Sequence, residues 1–146
     1  MSVRHQQVVL TVSDGTTMGA YVTMPDDSAV HPGIIVFQEA FGVNSHIRNI
    51  CDRLAEAGYV SIAPEMFHRT AAAGSEFSYT DFDAIRPHSS AMTVEGQTAD
   101  AHAAYDWLRN QNNVEQGKIG TIGFCMGGRF SFLANLILPV QVSVSY

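Results

Sequence analysis

The stretch Gly123-Phe124-Cys125-Met126-Gly127-Gly128 carries the strongest structural signal in the chain, because it places a cysteine between a predicted strand and a predicted helix. Lys118 to Ile122 is typical of a short buried strand, and Arg129 to Leu138 of an apolar helix that ends at Pro139. Glycines have no Cβ, so they permit a sharp turn and a close approach of strand and helix. The pattern predicts an exposed nucleophile at Cys125.

The predicted position of Cys125 gives its thiol a chemical role. The start of a helix carries the positive end of the dipole and unpaired backbone N–H groups, which favour a thiolate. The amide of Met126 is the first donor expected to hold an oxyanion, and the amide of Ala40, in the loop after the strand Ile34 to Phe37, is the second. A small buried cysteine without chemistry is the alternative. The flanking glycines favour the nucleophile.

The rest of the chain alternates strands and helices after an N-terminal hairpin. The turn Asp14-Gly15 between two β-rich segments predicts that hairpin. Further strands are predicted at Ile34–Phe37, Tyr59–Ala63 and Val140–Tyr146, helices between Asn44 and Gly58 and between Val94 and Asn110, and an irregular excursion at Arg69–Thr93. This order predicts a single α/β domain over residues 1–146, with a mostly parallel sheet and helices on both faces. Glu39 and Cys125 fall beyond carboxyl ends of strands, where ligands bind in such sheets.

Composition excludes several classes of protein. The chain has 8 Lys and Arg against 14 Asp and Glu, a net charge of -6, which argues against a nucleic-acid partner. No apolar segment has membrane length and no signal peptide is evident, so a cytoplasmic location without a membrane partner is expected. The two cysteines, Cys51 and Cys125, are not spaced for a metal and predict no disulfide. We expect neither a metal nor a cofactor.

The sequence from Val36 to Gly128 resembles the dienelactone hydrolase family. The resemblance is carried, in this order, by Gln38-Glu39-Ala40-Phe41-Gly42-Val43-Asn44, Ile47-Arg48, Asp52-Arg53-Leu54-Ala55, Gly58-Tyr59-Val60, Ala63-Pro64 and the cysteine turn. It implies an α/β-hydrolase fold, hydrolysis of a lactone or activated ester through a thioester, no metal, and a Cys-His-Asp triad. Cys125 maps to the nucleophile, and Glu39 to the glutamate that contacts the resting cysteine. A carboxylate beside a thiol opposes its ionisation, which suggests activation by substrate.

The chain departs from the family pattern after the nucleophile. The family's Asp and His follow the nucleophile on later loops, whereas only Met126 to Tyr146 follow it here. We therefore expect a partial domain, truncated after the strand that follows the nucleophile helix and lacking both residues. Every histidine precedes the turn, and we expect each to be structural or solvent-facing, with His68 and His88 as the candidates for a substitute base. The full set is His5, His31, His46, His68, His88 and His102.

Candidate substrate contacts are Phe41, within the family motif, and Arg86, the arginine of the excursion that could meet a substrate carboxylate. The residues around Arg86 do not match the family pattern, which leaves a dienelactone substrate open. A catalytically impaired hydrolase fragment, or a binding or subunit-like piece, is the main alternative to an active hydrolase. A homodimer or complementation through the exposed C-terminal edge is expected in that case. Two other enzyme classes are weaker alternatives. Glutamine amidotransferases share only the cysteine turn, and enzymes of the glyoxalase III type, a more distant alternative, share only the pairing of such a cysteine with an earlier glutamate.

Overall fold

A computed structural model describes residues 2–146, which form one six-stranded sheet flanked by helices. The strands are β1 (Val3–Thr11), β2 (Thr17–Pro25), β3 (His31–Phe37), β4 (Val60–Pro64), β5 (Val114–Gly123) and β6 (Val142–Ser145). The helices are α1 (Ser45–Glu56), α2 (Phe82–Ser90), α3 (Val94–Arg109) and α4 (Met126–Ile137). The strand order is β1-β2-β4-β3-β5-β6. The pairs β3–β4, β3–β5 and β5–β6 are parallel, whereas β1–β2 and β2–β4 are antiparallel, so the predicted mostly parallel sheet is confirmed.

The N-terminal hairpin turns where the sequence predicted, at Asp14-Gly15. Thr11 pairs with Thr17, and the turn glycine has a φ of 86°, a left-handed conformation that glycine adopts without a steric penalty. Strand β1 begins at Val3. Its polar residues are mostly exposed, because β1 is an edge strand with a single neighbour.

Helices cover both faces of the sheet, and β3 is buried between them. Ile35 and Phe37 belong to the larger apolar cluster beneath α3 and α4, whereas Val36 belongs to the smaller cluster beneath α1. Alternate residues of a strand point to opposite faces, which explains why the continuous apolar run of β3 has no exposed side. None of the helices within residues 2–146 combines the length and apolar character needed to span a bilayer.

The segment between β4 and α3 is more regular than the sequence indicated. Helix α2 forms inside the interval Arg69–Thr93, and the prediction of an irregular excursion is wrong for its nine residues. The carboxylate of Asp81 caps this helix by accepting a bond from the Ala84 amide at 3.1 Å. Pro87 lies within the helix, where it lacks an N–H group to donate. Capping and the burial of Ile85 outweigh this lost bond.

Candidate active site

Cys125 lies at the junction of β5 and α4 in a strained backbone conformation. Its φ of 56° and ψ of −119° make it the one non-glycine residue with positive φ among residues 2–146. Such a conformation costs about 1–3 kcal/mol and persists only where the surrounding structure enforces it. The side chain is exposed. A strained strand-to-helix turn that presents an exposed thiol is the local geometry of a nucleophile elbow.

The three glycines of the elbow are required by close backbone contacts. A Cβ on Gly123 would overlap the carbonyl of Gly127. A Cβ on Gly127 would lie 2.5 Å from the carbonyl oxygen of Gln38, and one on Gly128 would lie 2.7 Å from that of Tyr146. The contact of Gly127 with Gln38 brings the first turn of α4 against the end of β3. The glycines therefore fix the elbow between its two neighbouring strands.

The end of the chain closes the elbow from the β6 side. The Cys125 amide donates to the Tyr146 carbonyl at 2.9 Å, and the Tyr146 amide donates to the Gly123 carbonyl at 3.0 Å. The rings of Phe124 and Tyr146 stack with centroids 5.3 Å apart. Within residues 2–146, no acceptor is recorded for the amide of Met126, at the start of α4. That donor is available to a ligand, whereas the amide of Cys125 is already used.

The loop after β3 folds into a tight turn beside the elbow. An isolated bridge between Glu39 and Gly42 closes this turn over Ala40 and Phe41. Gly42 has a φ of 83° and packs so closely against the Ser75 carbonyl that no side chain would fit. No acceptor is recorded in residues 2–146 for the Ala40 amide. Two backbone donors without partners thus lie on adjoining segments.

Gln38 supports this turn, and the sequence analysis did not identify it. Its side chain is 1% exposed. The Oε1 atom accepts from the Met66 amide at 2.9 Å, and Nε2 donates to the Glu39 carbonyl at 3.2 Å. A buried amide with both ends bonded connects the exit of β4 to the turn that holds Ala40. An amide directly after the apolar run of β3 was the available signal, since a polar group buried there needs partners.

Glu39 and the candidate substrate contacts are placed as follows. Glu39 is half-buried, and within residues 2–146 no hydrogen bond joins its carboxylate to the Cys125 thiol. The Phe41 ring lies beside that of Tyr79, with centroids 4.3 Å apart. Arg86 projects from α2 with a side chain 73% exposed and pairs with Asp83 at 3.1 Å. The regulatory contact of Glu39 and the role of Arg86 stay predictions.

The two histidines considered as substitute bases have other partners. His68, 3% exposed at its side chain, places Nε2 2.9 Å from Oδ1 of the fully buried Asp100. Arg69 donates to Asp100 at 2.8 Å and to Asp14 at 2.7 Å, and its hydrogen bonds to the Asp100 carboxylate raise the pKa of Arg69. Hydrogen bonds from Thr16, and then from Arg69, lower the pKa of Asp14. This network ties the loop after β4 to α3 and to the hairpin turn.

The second histidine, His88, lies 2.8 Å from the Thr70 hydroxyl through Nδ1, and its ring packs against those of Phe67 and Phe77. Both His68 and His88 therefore contribute to the packing of the segment between β4 and α3. Among residues 2–146, no group of three or more His, Cys, Asp or Glu side chains is placed to hold a metal ion.

Comparison with known proteins identifies the family. The family model described as the dienelactone hydrolase family matches residues 18–146, from β2 through the elbow to the last residue. The chain belongs to the dienelactone hydrolase family. The predicted resemblance is thereby confirmed, and it leaves the glutamine amidotransferase alternative without support.

Relatives of the dienelactone hydrolase family match nearly the whole chain. A candidate carboxymethylenebutenolidase of Synechocystis sp. is 32% identical over 100% of this chain and 60% of its own length. The carboxymethylenebutenolidase of Pseudomonas putida is 32% identical over 91% of this chain and 56% of its own length. The chain thus spans little more than half the length of these relatives.

The crystal structure of a candidate dienelactone hydrolase from Klebsiella pneumoniae superposes with a TM-score of 0.84 at 28% identity, covering 97% of this chain and 58% of that one. An α/β hydrolase from Penicillium, 17% identical, shows the same fold with a TM-score of 0.73 over 97% of this chain and 45% of that one. The predicted α/β-hydrolase fold is confirmed.

Proposed function

We propose that this chain is the nucleophile-bearing part of a carboxylic-ester or lactone hydrolase of the dienelactone hydrolase type. The observation that carries the proposal is the exposed thiol of Cys125, held at a strained elbow at the start of α4. A relative with the name carboxymethylenebutenolidase supports an ester or lactone as the substrate class. No cofactor is part of the proposal.

In the proposed reaction, the sulfur of Cys125 attacks the substrate carbonyl carbon and forms a C–S bond. The negative charge that develops on the carbonyl oxygen is held by the amides of Met126 and Ala40, whose N–H groups have no acceptor within residues 2–146. Collapse of this intermediate breaks the C–O bond, and the leaving alcohol takes up the proton that the thiol gave up. Water then attacks the thioester, releasing the acid and restoring the thiol.

We propose that Glu39 regulates this thiol. Its turn adjoins the elbow through the contact between Gly127 and Gln38, which supports an approach of the carboxylate to the sulfur. A negative charge there opposes thiol ionisation, so the resting thiol stays protonated until substrate displaces one of the two groups. Replacing Glu39 with Gln is expected to make the resting thiol more reactive.

A second candidate function is that of a subunit-like or catalytically impaired piece that needs another polypeptide. The exposed edge of the sheet supports it: β6 has β5 as its single neighbour, and four large apolar side chains near it are more than half exposed. They are Phe132, Leu136, Val142 and Tyr146. We propose that a second copy, or a chain that supplies the proton acceptor, docks at this edge. Sedimentation velocity of the intact chain, with Val142→Lys as the disruptive variant, tests this pairing.

The chemistry is tested by reacting the intact chain with p-nitrophenyl acetate. We expect a burst of about one equivalent of p-nitrophenolate and an acetyl group on Cys125, detected by intact-protein mass spectrometry and peptide mapping. Cys125→Ala should abolish the burst, whereas Cys51→Ala should retain it. Steady release after the burst indicates an active hydrolase, and a burst without turnover indicates the impaired piece. An unchanged rate in Cys125→Ala would exclude Cys125 as the nucleophile.

A further inference from the structure

Three aromatic side chains gather on the segments next to the proposed oxyanion donor. Phe41 directly follows Ala40, and its ring centroid lies 4.3 Å from that of Tyr79 and 6.2 Å from that of Phe82. Tyr79 is 54% exposed and Phe82 is 61% exposed. We call this cluster of Phe41, Tyr79 and Phe82 the aromatic shelf. Contiguous exposed rings, unlike single exposed apolar residues, indicate a surface that contacts a ligand.

The aromatic shelf is fixed from beneath by hydrogen bonds. The buried Asn44 donates from Nδ2 to the Tyr79 hydroxyl at 3.1 Å, while its Oδ1 accepts from the Ile47 amide at 3.2 Å and so caps α1. The Phe77 amide donates to the Phe41 carbonyl at 3.0 Å. These bonds hold Tyr79 at the start of α1 and the Phe41 turn at the Phe77 segment, so two of the three shelf residues are positioned before any ligand arrives. Preorganised groups bind with a smaller entropy cost.

The aromatic shelf adjoins the turn that holds Ala40, and this turn contacts the elbow. The elbow touches the end of β3, since a Cβ on Gly127 would lie 2.5 Å from the Gln38 carbonyl oxygen. Phe41 follows Gln38 by three residues, so its Cα lies within about 11 Å of that of Gln38, and the tight turn shortens this span. A substrate whose carbonyl oxygen accepts from the Ala40 amide lies next to Phe41, the following residue.

The charges around the aromatic shelf disfavour an anionic ligand. The carboxylates on the same segments outnumber the arginines: they are Glu39, Glu76, Asp81 and Asp83, against Arg48 and Arg86. Both arginines are paired, Arg48 with Glu76 at 2.6 Å and Arg86 with Asp83 at 3.1 Å. A substrate carboxylate would have to displace one of these acidic side chains and would meet the others.

We infer that the aromatic shelf is the specificity subsite of this enzyme and selects esters with a neutral aromatic or apolar group over lactones that carry a carboxylate. This inference rests on the proposed function of Cys125 and adds the substrate class. The neutral group stacks on the rings of Tyr79 and Phe82, while the carbonyl carbon lies at the sulfur. Offset or edge-on contacts of this kind increase affinity by about two- to tenfold for each ring pair.

The test uses three maleimides that share one thiol reaction and differ only in the nitrogen substituent. N-benzylmaleimide carries a neutral ring, 3-maleimidopropionic acid carries a carboxylate, and N-methylmaleimide is the small reference. Rates of addition to Cys125 in the intact chain are measured by mass spectrometry and divided by the rates with glutathione. We expect the benzyl reagent to exceed the carboxylate reagent by about tenfold after this correction.

Variants assign that preference to the shelf. Phe82→Ala, an exposed position that leaves the fold intact, should reduce the ratio severalfold, and Phe82→Trp should restore it. Phe132→Ala is the matched control, because Phe132 is an equally exposed ring, at 59%, on α4. An unchanged ratio in Phe82→Ala, or a carboxylate preference that Arg86→Gln abolishes, would overturn the inference while leaving Cys125 as the nucleophile. If Cys125 reacts no faster than Cys51 with any reagent, the proposed function fails as well.

Discussion

The chain holds two thiols whose environments differ in nearly every physical respect. Cys51 lies inside α1, fully buried in the apolar cluster on one face of the sheet, and burial raises its pKa to about 12. Cys125 is exposed, precedes the first turn of α4 and has a backbone that no other non-glycine residue in residues 2–146 adopts. Because the residue type is the same, the difference comes from the backbone path, which buries one thiol and exposes the other.

The largest expected effect is on labelling with iodoacetamide at pH 8. A thiol with a pKa near 12 is ionised in about one molecule in 10⁴ at this pH, and Cys51 is also closed to reagents. We expect one rapid modification, at Cys125, and a second only after unfolding in urea. Cys125→Ser should abolish the rapid phase, and Cys51→Ala should leave it unchanged. Modification of both thiols at similar rates in the folded chain would contradict the distinction.

Sequence reasoning predicted this difference only in part. The glycines at 123, 127 and 128 predicted the elbow, because glycine is the residue type required where two backbones come too close for a Cβ. The partners of those glycines could not be predicted, since they depend on how far apart β3, β5 and β6 lie. The bonds from Gln38 to Met66 and from Asn44 to Tyr79 were also missed, because the bonded residues are distant in sequence. Helix α2 was missed because Pro87, a residue that usually interrupts helices, argued against a helix more strongly than the capping residue Asp81 argued for one.

The next effect concerns alkaline pH and Cys51. Its pKa rises from about 9 in the unfolded chain to about 12 in the folded one, so the stabilisation is present below pH 9 and is lost as pH rises towards 12. The loss is about 1.4 kcal/mol per pH unit, or roughly 4 kcal/mol over the window.

Urea unfolding at pH 8, 9.5 and 10.5 checks this effect. Wild type should lose about 2 kcal/mol more than Cys51→Ala between pH 8 and pH 10.5. If both proteins lost stability equally as the pH rises, the thiol of Cys51 would not be buried in the way that the structure shows.

A smaller effect on stability is expected from a change in the backbone contact that holds the elbow at Cys125. Gly127→Ala introduces a Cβ 2.5 Å from the Gln38 carbonyl oxygen, and backbone there cannot move without separating α4 from β3. We expect a loss of about 3 kcal/mol in the free energy of unfolding and slower labelling of Cys125. Gly117→Ala is the control: its φ of 77° strains an alanine, but nothing lies within 4 Å of the added Cβ, so its cost should be about 1 kcal/mol. Equal costs for the two variants would contradict the contact at the elbow.

The smallest effect isolates the strain stored at Cys125 itself. Glycine accepts a φ of 56° and a ψ of −119° far more readily than a residue with a Cβ, so Cys125→Gly should release about 1–3 kcal/mol. The greater entropy of glycine in the unfolded chain offsets about 0.5–1 kcal/mol of this gain. Cys125→Ala keeps the strain and is the matched reference. A net stability about 1 kcal/mol higher for Cys125→Gly than for Cys125→Ala, measured by urea unfolding, would show that the fold imposes the strained conformation on Cys125. A lower stability would mean that the conformation is unstrained, and burial alone would then distinguish the two thiols.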